Sequence, residues 1–296
     1  MKCPACFSED SEKISAYTSK DYVFYKCAEC EVMFAHPMKA GDRNWYEDSE
    51  WYSLPPHAPN SLKWYEKMFL ERNIACKGER LINFGCGRSI FLKKVVELGY
   101  DVTAVDMNQK IVEFTKQKLG IEKVFACEIS DFIKGYNGDK FDVALFFEVI
   151  EHLENPGEFM RSLKNILKDN GKIFLSVPNR ERIMAHIGTW DLPPHHLTKW
   201  NKKSIEKFLS HSGYSEIKVV TAPLLADDVL RIMKIYFGTL YLENKIKKGF
   251  NNKLILFSYR VLLKFRIGFY KILALIGRLF IKNGHNIYAE AKAAGL

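Results

Sequence analysis

The chain has 296 residues, of which 47% are hydrophobic and 14% aromatic, and its formal net charge is +9. This composition excludes a disordered or fibrous chain and allows one sizeable core plus a small satellite domain. The opening residues, MKCPACFSED, contain no apolar secretory segment. We therefore expect a cytoplasmic protein whose seven cysteines serve as thiols or metal ligands.

Two CxxC pairs lie within the first forty residues. They consist of Cys3 with Cys6 and Cys27 with Cys30, and the segment between them is rich in β-forming residues. This spacing is typical of a tetrahedral Cys₄ zinc site. Because four thiolates fill the coordination sphere, the zinc should be structural. We predict a zinc ribbon over 1–40; four reduced structural cysteines and a redox pair are the alternatives.

Residues 41–78 are predicted to form an aromatic linker and a helix. After a proline-rich break, Ser61 can cap a helix from about Leu62 to Ile74. The linker aromatics either cover a cofactor or join two domains; they are Trp45, Tyr46, Trp51 and Tyr52.

From Leu81 the chain alternates between short β-rich runs and helical patterns. This alternation predicts an α/β fold with a doubly wound parallel sheet, whose ligands bind at the carboxyl ends of the strands. The first such turn, Gly85-Cys86-Gly87, brings bare backbone close to a ligand and directs a helix N-terminus toward it. Asp106 ends the second strand, at a spacing where an acid accepts hydrogen bonds from ribose hydroxyls.

Four successive segments resemble the motifs of class I S-adenosylmethionine-dependent methyltransferases over about residues 79–222: LINFGCGRSIFL, VTAVDMN, FDVALFFEVIEHLENP and LKDNGKIFLSVPN. The resemblance implies a Rossmann-like, doubly wound, seven-stranded methyltransferase sheet with S-adenosylmethionine as cofactor. It places Gly85 and Gly87 at the methionine part, Asp106 at the ribose and Glu128 near the adenine. The complete set of cofactor-binding candidates is Asn83, Gly85, Cys86, Gly87, Asp106, Met107, Glu128 and Phe147.

The chain departs from the family pattern at two positions. The family usually has an acid at position 83 and a third glycine at position 89, whereas this chain has Asn83 and Ser89. Asn83 keeps a hydrogen-bonding side chain but loses a charge, and Ser89 is a good helix cap. A non-catalytic, membrane-associated scaffold with a methyltransferase fold is therefore one alternative function.

Three residues are catalytic candidates on the acceptor side. Glu148 ends the fourth strand, where the resemblance places the transferred methyl group, and His195 and His196 lie in a polar, proline-containing loop after the fifth strand. Histidines of nearly neutral pKa are suited to take a proton from an acceptor hydroxyl.

Glu148, Glu151 and His152 are spaced i, i+3, i+4, which would bring them to one face of a helix. Similar clusters in methyltransferases that resemble those of the ubiquinone pathway can hold a divalent metal. The alternative is that Glu151 and His152 open a helix and face solvent or the loop.

Residues 226–283 are predicted to form a helical insert before the last strand. Its second helix carries basic residues at steps of 7, 4, 7, 7 and 4, opposite an apolar face: Lys253, Arg260, Lys264, Lys271, Arg278 and Lys282. From Arg231 onward, thirteen Lys and Arg face only two acidic residues. This pattern favours binding of 253–282 to an anionic membrane surface, with a homodimer as the equal alternative and nucleic acid third.

The sequence thus predicts four parts: the zinc ribbon at 1–40, the linker and helix at 41–78, the methyltransferase domain at 79–225 and 284–296, and the basic insert at 226–283. The expected activity is methyl transfer to a hydroxyl of a small molecule, a sugar or a lipid-linked glycan, by a protein that is cytoplasmic and peripheral at the inner membrane face. An RNA-modifying methyltransferase is the other enzymatic alternative.

Overall fold

The computed structural model of the protein describes residues 1–14, 21–41, 45, 61–73, 78–182, 185, 191–225, 228–229, 272–273, 275–277 and 283–294. Most of the predicted insert at 226–283 and the linker aromatics Tyr46, Trp51 and Tyr52 lie outside these residues. Within the described part, no helix is long and apolar enough to cross a membrane. Three apolar side chains of the insert that the structure does describe, Ile272, Leu275 and Ile276, are exposed.

Seven strands form one mixed sheet, which confirms the predicted fold class. The strand order is β10-β11-β8-β7-β4-β5-β6. Strands β4 to β8 are parallel, and β11 runs antiparallel to both β8 and β10. The strands are Arg80–Phe84 (β4), Asp101–Asp106 (β5), Val124–Ala126 (β6), Phe141–Phe147 (β7), Leu167–Pro178 (β8), Tyr214–Thr221 (β10) and Asn286–Ala293 (β11).

Helices cover both faces of this sheet, because its central strands are apolar on both sides. Two hydrophobic clusters result, one on each face, with Ile82 and Phe84 of β4 in one and Leu81 of the same strand in the other. The helices are Trp64–Arg72 (α1), Phe91–Glu97 (α2), Gln109–Leu119 (α3), Ile129–Gly135 (α4), Pro156–Ile166 (α5) and Lys202–His211 (α6).

The cysteine-containing segment forms a small antiparallel sheet that is joined to the rest of the chain through a fourth strand. Its strands are Ser11–Ile14 (β1), Val23–Cys27 (β2) and Met33–His36 (β3), and a fourth strand, Thr198–Lys199 (β9), pairs with β3. Strand β9 belongs to the loop that carries the paired histidines. The ribbon is therefore joined to that loop by backbone hydrogen bonds.

Side-chain and core contacts also hold the ribbon to the body. Glu31 forms ion pairs with Lys203 and Lys207 of α6, and the Gly157 backbone NH of α5 donates to the Pro4 carbonyl at 3.0 Å. A Cβ atom at Gly157 would collide with the Ala5 carbonyl oxygen. Glycine at this position thus allows α5 and the ribbon to approach closely.

Candidate active site

The glycine turn after β4 has the backbone conformation that its sequence predicts. Gly85 and Gly87 have φ angles of +64° and +54°, a region that residues with a side chain rarely adopt. The Gly85 backbone NH donates to the Val105 carbonyl at 2.8 Å. A Cβ atom at Gly85 would lie 2.8 Å from Val149 Cγ2. The turn therefore needs glycine both for its conformation and for its close packing.

Asp106 fixes this turn to the end of β5. Its Oδ2 accepts from the Gly87 backbone NH at 3.1 Å, and its Oδ1 accepts from the Asn108 backbone NH at 3.0 Å. Burial raises the pKa of Asp106, while these hydrogen bonds act in the opposite direction. A carboxylate has about four acceptor positions, so these bonds leave acceptor capacity at the position where a ribose is expected.

A pocket of about 230 Å³ opens beside the turn. Asn83, Gly85, Cys86, Gly87 and Phe147, all predicted cofactor-binding residues, line it. The other lining residues are Ser61, Lys63, Tyr65, Glu66, Arg88, Ser89 and Phe91. The pocket therefore brings helix α1 to the glycine turn, a contact that the sequence analysis did not foresee.

Glu66 of α1 supplies a buried acid at the edge of this pocket. Its side chain accepts from Ser89 Oγ at 2.6 Å and from the Lys63 backbone NH at 2.6 Å. Ser89 Oγ in turn accepts from the backbone NH of Phe91, at the start of α2. Burial raises the pKa of Glu66. The two departures from the family pattern thus have structural counterparts: Ser89 bonds the first turn of α2, and Glu66 brings a carboxylate to the pocket that Asn83 also lines.

The remaining cofactor candidates follow the ends of β5 and β6. Met107 is half-buried directly after Asp106. Glu128 is exposed at the N-cap of α4, where its carbonyl accepts from the Phe132 backbone NH. Neither residue lines the pocket beside the turn. Their predicted contacts with the cofactor stay predictions.

Glu148 lies at the carboxyl end of β7 with a φ of +55°. Its Oε1 accepts from Ser176 Oγ at 2.8 Å and from Asn286 Nδ2 at 3.1 Å. Burial raises the pKa of Glu148 to about 7, although both hydrogen bonds lower it. A carboxyl group with a pKa near neutrality is suited to accept a proton at physiological pH.

Glu151 and His152 do not lie on a helix, so the expected shared helix face and the alternative helix start are wrong, whereas the expected position of His152 at the loop is confirmed. Residues 149–152 form turns, and α5 begins only at Pro156. Proline is favoured in the first turn of a helix, and it restricts the residue before it to non-helical conformations. Glu151 is only 1% exposed, because the turn folds back under the histidine loop.

Three histidine rings gather where this turn meets the loop after β8. His152 lies 4.6 Å from His195 and 4.7 Å from His196 between ring centroids, and the two loop histidines stack at 4.4 Å. The ring of Trp45 from the predicted aromatic linker lies 5.8 Å from that of His195. The structure thus brings His195 and His196 together with a third histidine that the sequence analysis had not paired with them.

Asp191 orients His196 through a hydrogen bond to its ring. Its Oδ1 accepts from His196 Nδ1 at 2.6 Å, and its Oδ2 pairs with Arg182 and Lys199. Although burial opposes the change, the hydrogen bond from His196 and the two cations lower the pKa of Asp191. Burial lowers the pKa of His196 to about 4 and that of His152 well below its usual range. These two imidazoles are therefore neutral near pH 7.

The four ribbon cysteines also converge. Cys3 Sγ lies 3.6 Å from Cys30 Sγ, and Cys6 Sγ lies 3.5 Å from Cys27 Sγ. All four sulfur atoms lie within 4.8 Å of one another. Tetrahedral zinc with Zn–S bonds of about 2.3 Å requires sulfur atoms about 3.8 Å apart. The donor set and its spacing therefore fit a Cys₄ zinc site.

A family model described as a methyltransferase domain matches residues 62–219. This match covers more than half of the chain, so the chain belongs to the methyltransferase domain family. Together with the seven-stranded sheet, it makes the protein a member of the class I S-adenosylmethionine-dependent methyltransferases.

Individual relatives are more distant. Over 161 residues the chain is 30% identical to the mitochondrial ubiquinone biosynthesis O-methyltransferase of Schizosaccharomyces pombe, covering 52% of this chain and 58% of that protein. The chain spans about half the length of the curated relatives it matches.

Two solved structures share the fold. An S-adenosylmethionine-dependent methyltransferase from Archaeoglobus fulgidus has a TM-score of 0.51 at 16% identity, covering 76% of this chain and 90% of that one. The Haemonchus contortus phosphoethanolamine N-methyltransferase 2 has a TM-score of 0.56 at 15% identity, covering 89% and 62%. At these identities, both show the fold alone.

Replacing Glu66 with Gln should weaken cofactor binding, since we expect the Glu66 carboxylate to pair with the ammonium group of S-adenosylmethionine. A charge-assisted hydrogen bond of this kind contributes about 1.5–3 kcal/mol, or about 10–100-fold in affinity. Isothermal titration with S-adenosylhomocysteine measures the loss. The matched control is Glu71→Gln, an exposed acid on the same helix, which should bind like the wild type.

An S-adenosylhomocysteine analogue that lacks the amino group separates this pairing from support of the turn. The Glu66→Gln effect should disappear with the analogue, and adding Asn83→Asp should recover part of the lost affinity. An equal loss of affinity for both ligands would show that Glu66 only holds Ser89 and Lys63 in place.

Proposed function

We propose that the protein transfers a methyl group from S-adenosylmethionine to a hydroxyl of a small molecule, a sugar or a lipid-linked glycan. The observation that carries this proposal is Glu148, a carboxyl group with a pKa of about 7 next to Phe147, which lines the cofactor pocket. Hydroxyl acceptors must lose a proton, so they require such a group. The relatives named ubiquinone biosynthesis O-methyltransferase support the same acceptor atom.

The cofactor side of the proposed site consists of the glycine turn and its neighbours. When bound, S-adenosylmethionine supplies a methyl group on a positively charged sulfur. Gly85 and Gly87 present bare backbone to it, Asn83 lines the same pocket, and Asp106 holds the turn while keeping acceptor capacity for a ribose. These residues position one reactant, and positioning is a large part of what the protein contributes to a displacement reaction.

The acceptor side consists of Glu148 and the histidine loop. Ser176 and Asn286 hold Glu148 Oε1, so the orientation of the carboxyl group is fixed before an acceptor arrives. Deprotonated Glu148 accepts the hydroxyl proton as the oxygen attacks the methyl group. His195 and His196 lie against His152, four residues after Glu148, and Trp45 packs against His195.

We also propose that 253–282, of which the structure describes only 272–273 and 275–277, binds an anionic membrane surface or a second copy of the chain. The exposure of Ile272, Leu275 and Ile276 supports an apolar face available to such a partner. The sequence gives both partners equal weight.

Methyl transfer with hydroxyl acceptors tests the proposed function. The full chain is incubated with methyl-labelled S-adenosylmethionine and either catechol or methyl glucoside, with a primary amine and RNA as comparison acceptors. We expect label on the hydroxyl acceptors together with release of S-adenosylhomocysteine. The fully O-methylated form of each acceptor is the matched control. Label found only on the amine or the RNA would contradict hydroxyl transfer.

The pH dependence should identify Glu148 as the proton acceptor. Because its deprotonated form is the active one, kcat/KM should rise as pH increases through about 7. Glu148→Gln should lose this rise and lower the rate by about 10²–10⁴-fold, with unchanged affinity for S-adenosylhomocysteine. Glu158→Gln, an exposed acid on α5, is the control. A rise near pH 7 that persists in Glu148→Gln would assign the proton to another group.

We further propose that Cys3, Cys6, Cys27 and Cys30 hold a structural zinc ion. Cys30→Ser should then remove one zinc per chain and lower Tm by several degrees. The methyl-transfer rate should fall as well, because β3 of the ribbon pairs with β9 of the histidine loop. Cys127→Ser, outside the quartet, is the control. An unchanged zinc content in Cys30→Ser would rule out this site.

A further inference from the structure

We propose that His152, His195 and His196 form a second metal site, which binds a divalent transition-metal ion such as zinc next to the carboxylate of Glu151. The site lies where the turn after β7 meets the loop before β9. Its ligands come from two segments more than forty residues apart, and it contains no cysteine.

The ligand atoms are close enough for one ion. One ring nitrogen from each histidine lies within 4.8 Å of the other two. Tetrahedral zinc with Zn–N bonds of about 2.05 Å places its nitrogen ligands about 3.3 Å apart. Shifts of about an ångström in side chains that already contact one another would close this gap.

Two of the rings are held at the nitrogen opposite the proposed metal. His152 Nδ1 lies 2.6 Å from the His195 carbonyl oxygen, and His196 Nδ1 lies 2.6 Å from Asp191 Oδ1. Metal-bound histidines typically donate one ring NH to a backbone carbonyl or a carboxylate, which orients the other nitrogen toward the ion. The metal would therefore bind at Nε2 of His152 and His196.

The buried carboxyl group of Glu151 provides an independent indication that a cation binds at this position. Its side chain is 1% exposed, and among the described residues neither carboxylate oxygen has a hydrogen-bond partner. Its Oε1 lies 4.0 Å from His152 Nε2. A divalent ion bound to the histidines would supply a positive partner for the Glu151 carboxylate.

The proposed three-histidine site differs from the Glu148, Glu151 and His152 cluster considered from the sequence. Glu148 Oε1 already accepts from Ser176 and Asn286, on β8 and β11. The histidine loop supplies two imidazoles instead. Imidazole-rich sites favour zinc, cobalt, nickel or iron over magnesium, which prefers oxygen ligands.

A metal at this position would also act on the acceptor. An ion with an open coordination position binds an oxygen ligand and lowers the pKa of its proton. This consequence rests on the proposed hydroxyl transfer, whereas the metal site itself does not.

Metal stoichiometry tests the site without using activity. The full chain, purified with zinc and dialysed, should contain two zinc ions per chain by elemental analysis, and Cys30→Ser should retain one. His195→Ala, at a half-exposed position, and His152→Ala should each contain one ion, held by the ribbon. His211→Ala, an exposed histidine on α6, should contain two and is the matched control.

Cobalt gives a second readout of the same site. Co²⁺ added to Cys30→Ser should produce d–d absorption that is lost when His152→Ala is added, whereas any charge transfer from the three remaining ribbon thiolates should not depend on His152. One zinc per wild-type chain with no cobalt absorption that depends on His152 would overturn the site, as would two zinc ions retained in both histidine variants. Two metals without methyl transfer would instead contradict only the proposed function.

Discussion

The pairing of β9 with β3 constrains the loop that carries the paired histidines. The strand has only two residues, yet it makes the ribbon sheet and the histidine loop one hydrogen-bonded unit. The Glu151 carbonyl accepts from the backbone NH groups of Leu197 and Thr198, which ties the same loop to the turn after β7. Backbone hydrogen bonds thus hold the loop of His195 and His196 on two sides. We therefore expect a change in the ribbon structure to alter the positions of these histidines.

Buried charge is concentrated around this loop. Asp191, Arg182 and Lys199 are each less than 10% exposed. Removing ions from water costs several kcal/mol for each group, and only pairing and hydrogen bonds offset that cost. For Asp191, this cost is offset by pairing with Arg182 and Lys199 and by the hydrogen bond with His196. Glu151 lies close by without such partners among the described residues. The cation proposed at the histidine cluster would give Glu151 a partner of the kind that Asp191 already has.

The order of strands and helices could be predicted from the sequence because it depends on local patterns. Short stretches of sequence are enough to recognise the alternation after Leu81, the glycine turn and the position of Asp106. The structure confirms the seven-stranded sheet. The contact of Glu66 with Ser89 joins residues 23 positions apart, and His152 meets His195 across 43. No periodicity encodes such contacts. The prediction of a helix at Glu148 was wrong for a local reason, because Pro156 sets the start of α5.

The end of β7 divides the site into its two proposed halves. Phe147 lines the cofactor pocket, with its ring 5.1 Å from Tyr65 and 5.6 Å from Phe91. The next residue, Glu148, adopts a left-handed conformation that costs about 1–3 kcal/mol for a residue with a side chain. Its carboxyl group bonds Ser176 on the neighbouring strand β8 and Asn286 on β11, one strand further away. In-line transfer requires the two reactants to be about 3–3.5 Å apart. Because Phe147 and Glu148 are adjacent in the chain, the proposed cofactor and acceptor halves of the site would meet at one strand end, as such a short separation requires.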